Sequence, residues 1–120
     1  MEKILIVDDD PIVVKSLSEF LREQGYDVRT AIDGYNGLVE IERNTFDLII
    51  SDVMMPNLTG LTLLSLTKEF HHSIPIIFIS SLTKADVIAK SIGLQPDDFL
   101  VKPIELEKLS EMVKRLLNKQ

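Results

Sequence analysis

Leu48-Ile49-Ile50-Ser51-Asp52-Val53-Met54-Met55-Pro56-Asn57-Leu58-Thr59-Gly60 carries an apolar strand straight into a single carboxylate. Residues 48–50 form a short, β-branched-rich run of the kind buried on both faces of a parallel sheet, and Asp52 stands where such a strand ends. Pro56 lacks a backbone donor and Gly60 tolerates any φ. The residues between them therefore read as a loop that hands over to a helix beginning near Leu61. An acid at a strand's carboxyl end, followed by a loop, occupies the position at which open α/β sheets place their ligands.

The flanking chain repeats this pattern. Residues 4–7 are continuous β-formers closed by Asp8, Asp9 and Asp10, a central strand running into a charged loop. Asp10-Pro11 is an N-cap and first-turn pair, and Val13, Leu17, Phe20 and Leu21 follow at helical spacing until Gly25. Residues 26–31 give a shorter, more polar strand suited to a sheet edge. Asp33-Gly34 reads as a turn, Tyr35, Leu38 and Val39 as a weak helix interrupted by Gly37, and Asn44-Thr45 as its end. Beyond the central stretch, Leu61, Leu63, Leu64, Leu66 and Phe70 predict a third helix that is apolar around much of its girth and heavily buried. Residues 75–80 predict a fourth strand ending in Ser80 and Ser81. Ala85, Ile88, Ala89 and Ile92 space a fourth helix, stopped by Gly93 and Pro96. Residues 99–101 lead as a fifth strand into Lys102-Pro103, and Leu106, Leu109, Met112, Val113, Leu116 and Leu117 define a fifth, clearly amphipathic helix. Five alternations of strand and helix predict an α/β fold, a doubly wound five-stranded parallel sheet with five helices.

Composition narrows the functions open to such a fold. At 120 residues the chain has room for a single domain, 1–120, with a real core. Nineteen acidic residues against 13 basic ones give a formal charge of −6, which repels phosphate backbones and speaks against direct nucleic-acid binding. The absence of cysteine excludes disulfides, thiol nucleophiles and cysteine-ligated metals. No stretch approaches the roughly 20 apolar residues of a membrane span, and the opening apolar run is too short for a signal peptide, so no membrane contact and a cytoplasmic location are expected. Neither a Gly-x-Gly-x-x-Gly turn nor a P-loop is present for nucleotides.

If the strands are parallel, Asp8, Asp9, Asp52, Ser80, Ser81 and Lys102 gather at one edge of the sheet. Acids after strands are often only helix caps, and Asp10 is read as one. The joint arrangement is harder to explain that way. Three crowded carboxylates repel one another unless a cation intervenes, and Lys102 supplies only one positive charge. Oxygen ligands without His or Cys suit a hard ion such as Mg²⁺. A metal, a lysine and a hydroxyl are also what phosphoryl transfer requires of a protein.

These residues carry a resemblance. Asp8-Asp9, Asp52 with Met55-Pro56 and Gly60, Ser80-Ser81, and Asp97-Asp98-Phe99-Leu100-Val101-Lys102-Pro103 together resemble the receiver domain of two-component response regulators, a flavodoxin-like fold, over the whole chain. The resemblance implies that Asp52 is the phosphoacceptor for a sensor histidine kinase, a histidine phosphotransfer protein or acetyl phosphate. Asp9, Asp52 and the backbone carbonyl of Met54 would bind Mg²⁺, with Asp8 acting through water, and Lys102 would pair with a phosphoryl oxygen. Ser80 and Phe99 would form the switch, with Ser81 and Pro103 as phosphoryl-site neighbours, and the Lys102-Pro103 bond is expected to be cis. The output face would lie on the fourth helix, fifth strand and fifth helix, with Leu82 and Val87 as contact candidates for an effector or downstream protein and a homodimer on phosphorylation as a further family trait.

Departures from the family pattern leave these groups in place. Ser81 stands where Ala is commonest, Phe99 lacks a hydroxyl, Gln95-Pro96 replaces the usual Gly-Ala, and Ile104 stands where Phe is frequent. Met54 and Leu82 are apolar at positions that in the receiver family tune acyl-phosphate hydrolysis, so the resemblance implies self-dephosphorylation over hours rather than seconds. His71-His72, far in sequence from the acids, reads as a solvated pair. Two other functions compete: a pseudo-receiver that binds partners without being phosphorylated, and a Mg²⁺-dependent phosphohydrolase. The intact Asp9, Asp52, Ser80 and Lys102 disfavour the first. Met54, in place of a second acid, and a chain too short for a cap disfavour the second, so self-catalysed phosphoryl acceptance rather than enzymatic turnover is expected.

Overall fold

The computed structural model describes residues 1–53, 55, 59–70, 73–81 and 96–118, and only the backbone of Leu61. In chain order these residues form β1 (Lys3–Val7), α1 (Pro11–Glu23), β2 (Asp27–Ala31), α2 (Gly34–Arg43), β3 (Leu48–Asp52), α3 (Gly60–Phe70), β4 (Ile76–Ser80), β5 (Asp98–Val101) and α4 (Leu106–Leu117). The helix expected over Ala85, Ile88, Ala89 and Ile92, the contact candidates Leu82 and Val87, and His71-His72 lie outside the described residues.

The five strands are parallel and ordered β2-β1-β3-β4-β5. The polar second strand is an edge, as its composition predicts, while β1, β3 and β4 are buried along nearly their whole length. Alternate residues of each strand face opposite layers. Leu5, Val7, Ile49, Ile76 and Phe78 pack with Ile41, Leu63 and Leu64 of α2 and α3. Ile4, Ile6, Leu48, Ile50, Ile77 and Ile79 pack with Leu17 and Leu21 of α1 and Leu109 and Val113 of α4. The doubly wound expectation is met, and the chain's reversal of direction across the sheet falls between β1 and β3.

Local chemistry explains most boundaries. Asp10 caps α1 by accepting from the Ile12 N–H at 2.9 Å, with Pro11 as the first helical residue. Asp33-Gly34 differs from the expected free turn: Asp33 is itself an N-cap, accepting from the Asn36 N–H at 2.7 Å, and Gly34 opens α2. Gly37 does not weaken α2 for want of packing. It is buried, and a Cβ there would lie 3.0 Å and 3.1 Å from the two Val7 methyls, so the glycine lets helix and sheet close together. In α3, Leu63, Leu64 and Thr67 are buried, but Phe70 is 63% exposed, against the expectation of burial around the helix.

Candidate functional site

Strand parity decides which side chains meet. Asp8 continues the series Ile4, Ile6; Asp52 continues Leu48, Ile50; Lys102 continues Leu100, and all three series belong to the α1/α4 layer. At the strands' carboxyl ends Lys102 Nζ stands 2.8 Å from Asp8 Oδ2 and 3.1 Å from Asp52 Oδ2. Asp8 is completely buried and Asp52 nearly so, while Asp9 is exposed. Oxygens of Asp8, Asp9 and Asp52 all lie within 4.8 Å of one another. Ser80 and Phe99 follow the opposite parity. Ser80 is buried at the end of β4, Phe99 is half-buried against the core of the α2/α3 layer, and the Lys102 N–H donates to the Ser80 carbonyl at 2.8 Å. Ser81 is exposed at the mouth of the site, and the Lys102-Pro103 bond is cis as expected. Met54, whose carbonyl was expected among the metal ligands, lies outside the described residues.

The electrostatics are unbalanced. Burial pushes the Asp8 carboxyl above its ordinary range; Lys102 and the Asp10 N–H pull it back and the Asp52 charge pushes it up again, with burial prevailing. Burial alone would lower the Lys102 ammonium, but Asp8 and Asp52 together outweigh it and hold the lysine above its usual value. Three carboxylates and one ammonium leave a formal charge of −2. Asp8 Oδ1 accepts from the Asp10 N–H at 2.9 Å, and Asp8 Oδ2 has the Lys102 ammonium at 2.8 Å as its counter-charge, outside the alignment of a regular hydrogen bond. An all-oxygen donor set with unmet acceptor capacity fits a hard divalent cation.

Two residues shape the site in ways the sequence reading did not anticipate. Gly60, taken there as a residue of permissive φ, is required for a steric reason: a Cβ would lie 2.2 Å from the Asp52 carbonyl oxygen and 2.8 Å from Val53 Cα. Its N–H donates to the Val53 carbonyl at 2.8 Å, fastening the start of α3 to the end of β3. Ser51 is fully buried and donates its hydroxyl to the Asp52 carbonyl at 2.9 Å. A lone polar residue within an apolar strand was the available signal. Asp97 accepts from the Ile76 N–H at 2.7 Å and pairs with Lys68 at 3.0 Å, and Asp98 pairs with Arg115, so the acid pair before Phe99 anchors β5 to its neighbours and stands apart from the carboxylate cluster.

A doubly wound parallel sheet in the order β2-β1-β3-β4-β5 is that of the flavodoxin-like class of α/β domains, here with acids at the ends of the first and third strands and a lysine after the fifth. Within that class the chain belongs to the response regulator receiver domain family, whose model matches residues 4–114. It is 36% identical over 122 aligned residues to the response regulator ArlR of Staphylococcus saprophyticus, across 100% of this chain and 54% of that protein. It is 31% identical over 118 residues to the chemotaxis protein CheY of Treponema pallidum, across 96% of this chain and 82% of that one. Among solved structures, the response regulator TrrA of Thermotoga maritima in complex with Mg²⁺-BeF superposes with a TM-score of 0.89 at 32% identity, covering 98% of this chain and 100% of that one. CheY4 of Vibrio cholerae superposes with a TM-score of 0.87 at 33% identity, covering 98% and 99%. The chain spans about half the length of most of the curated relatives it matches, such as 54% of ArlR and 51% of PrrA from Mycobacterium bovis. It is a receiver of two-component signal transduction, a signalling module rather than a conventional enzyme, and the pseudo-receiver alternative is not favoured. Among the described residues no helix is long and apolar enough to cross a membrane.

Proposed function

We propose that Asp52 accepts a phosphoryl group in a Mg²⁺-dependent reaction, from a sensor histidine kinase, a histidine phosphotransfer protein or a small acyl phosphate. The observation that carries this reading is the Lys102 ammonium placed between the buried Asp8 and Asp52 carboxylates, beside Asp9, at the sheet's carboxyl edge. Asp9, Asp52 and the Met54 carbonyl would hold the ion directly and Asp8 through water. Bound there, it would supply positive charge to the phosphoryl group. An Asp52 oxygen attacks phosphorus in line; the bond from phosphorus to the donor breaks, and its electron pair leaves with the donor. Lys102 pairs with one phosphoryl oxygen and Ser80 closes on another, while Ser81 and Pro103 border the group. With Met54 and Leu82 apolar, hydrolysis of the acyl phosphate is slow.

Phe99 follows the Ser80 movement and alters the face formed by the segment after β4, strand β5 and helix α4, where an effector domain, a downstream protein or a second copy of the chain engages. Residues 1–120 act as one receiver domain in the cytoplasm. Receiver domains as a family interact with histidine kinases and effector domains, which supports this assignment. Incubation with Mg²⁺ and acetyl phosphate should add one phosphoryl group by intact mass, and Asp52→Asn should abolish it. A folded wild-type protein that takes no phosphoryl group from acetyl phosphate or from a phosphorylated histidine donor would refute the reading.

A further inference from the structure

Strand β3 carries a hydroxyl at Ser51, where every preceding residue of the strand is aliphatic. Alternation turns this side chain to the α2/α3 side with Ile49 and Val53, opposite to Asp52. Its cross-strand neighbours are Val7 of β1 and Phe78 of β4, both apolar and buried. An aliphatic side chain there would bury more apolar surface, and a hydroxyl in such surroundings is costly unless it is bonded. Ser51, itself fully buried, meets that need by donating to the carbonyl of the next residue, Asp52, at 2.9 Å.

That bond falls on the peptide joining the acidic residue to its loop. Gly60 approaches the same carbonyl oxygen so closely that a Cβ would lie 2.2 Å from it, and the Gly60 N–H donates to the Val53 carbonyl at 2.8 Å. The Asp52-Val53 peptide is therefore held by the serine hydroxyl and by the first residue of α3, while the Asp52 carboxylate meets Lys102 at 3.1 Å on the other side of the sheet. In sequence this peptide also separates two of the ligands proposed for Mg²⁺, the Asp52 carboxylate and the Met54 carbonyl. We infer that Ser51 is a positioning residue, whose hydroxyl fixes the peptide after Asp52 and so aligns the carboxylate and the following loop for metal and phosphorus. The inference rests on Asp52 being the phosphoacceptor. Ser51 acts only through the backbone, because it is buried on the opposite side of the sheet from the carboxylates. Without its hydroxyl the carbonyl keeps its packing against Gly60 but loses this donor, and the peptide gains freedom to tilt. Small misalignments of a reacting group are steeply reflected in rate.

The test combines three substitutions with two readouts. Ser51→Ala removes the donor, Ser51→Cys fills the same space with a weak donor, and Ser51→Thr retains the hydroxyl. The rate of the acetyl phosphate adduct is followed by intact mass at saturating Mg²⁺ and expressed per folded protein, and Mg²⁺ affinity without donor is read by calorimetry. Ser51→Ala and Ser51→Cys are expected to lose about tenfold in both, and Ser51→Thr to stay within about twofold of wild type in both. A Ser51→Ala protein that is less stable to urea but has wild-type rate and Mg²⁺ affinity would overturn the inference, leaving the hydroxyl a satisfied core group. A loss in only one readout would also overturn it, since the peptide lies between both ligands. So would wild-type behaviour of Ser51→Cys, which would show that volume suffices, or a folded Ser51→Thr protein as impaired as Ser51→Ala. If the added methyl of Thr prevents folding, the agreement of Ala with Cys decides. A wild-type protein that takes no phosphoryl group from acetyl phosphate or a phosphorylated histidine donor would overturn the acceptor assignment and this inference with it, whereas failure of Ser51 alone leaves the wild type reactive.

Discussion

Gly60→Ala isolates how closely α3 is set against the end of β3. The added methyl would lie 2.2 Å from the Asp52 carbonyl oxygen, 2.8 Å from Val53 Cα and 3.1 Å from the Asp52 carbonyl carbon. All three are backbone atoms, which cannot rotate out of the way as a side-chain end can. Restoring ordinary contact requires a relative movement of about 1 Å between helix and strand. That movement displaces Asp52 from a lysine now 3.1 Å away, and strains the Gly60 N–H to Val53 carbonyl bond. Overpacking of this kind costs about 2–3 kcal/mol, or about 8–12 °C in Tm for a domain of this size. A misplacement of about 1 Å at a reacting group costs about 10²-fold in rate. Gly37→Ala is the matched control. Its methyl would meet the Val7 methyls at 3.0 and 3.1 Å and Leu63 Cδ2 at 3.6 Å, all side-chain ends that yield by a few tenths of an ångström. The gain of about 0.8–1.0 kcal/mol from placing Ala in a helix interior offsets that crowding, leaving stability within about 1 kcal/mol of wild type. Urea unfolding measures the first quantity, and the rate of the acetyl phosphate adduct the second. A Gly60→Ala protein within about 0.5 kcal/mol of wild type and phosphorylated at the wild-type rate would refute the steric argument.

Other substitutions probe the charges and the core. Lys102→Met removes the shared cation of two buried carboxylates and takes the formal charge of the site from −2 to −3. Phosphoryl acceptance should fall about 10²-fold while Mg²⁺ binding, read by calorimetry, tightens about tenfold. Asp8, facing Asp52, Asp9 and Lys102, holds its proton in the folded state to a higher pH than the ordinary 3.8. Folding therefore takes up protons between 3.8 and the raised folded value, and metal-free stability falls as pH rises through that window. Urea midpoints in EDTA should show Asp8→Asn gaining on wild type as pH rises there; a constant difference would contradict the assignment. Leu109→Ala, at a fully buried position between α4 and the sheet, should cost about 3 kcal/mol in urea without altering the phosphorylation rate of the folded fraction.

Legibility differed by the range of the interaction. Strand ends were readable because an apolar run that stops at an acid, a serine or a lysine announces both the strand and its carboxyl terminus, as at Val7-Asp8, Ile50-Asp52 and Val101-Lys102. The edge position of β2 followed from its polar residues. The rest of the order, with β3 between β1 and β4, depends on pairings such as Ile6 with Ile50 and Ile50 with Ile77, which no local pattern encodes. Gly60 misled because φ freedom is a property of the residue alone, whereas its actual constraint, the carbonyl of Asp52, is eight positions away and close only in the fold. Phe70 misled for a related reason. Helical periodicity locates an apolar stripe but not where the neighbouring layer ends, and α3 extends past its cover.

Parity, which was available from the strands alone, also separates the site's two tasks. Residues that continue Ile4-Ile6, Leu48-Ile50 and Leu100 bring their charges together on the α1/α4 side, where burial makes two carboxylates and a lysine hold one another. Ser80 and Phe99 continue the opposite series, Ile76-Phe78, and belong with the α2/α3 core. On the proposed reading, a change of charge at Asp52 on the α1/α4 side has to be relayed across the sheet to Phe99 on the α2/α3 side. Among the described residues the direct connection is short: the Lys102 N–H bonded to the Ser80 carbonyl at 2.8 Å joins the backbone of the lysine that senses the charge to that of the hydroxyl proposed to follow it. The acceptor side is held by Ser51 and Gly60, which tie the Asp52 backbone to the start of α3. A shift of the phosphoryl-bearing end should accordingly be expressed at the ends of β4 and β5, which the Lys102 to Ser80 hydrogen bond joins, before it is expressed at β1.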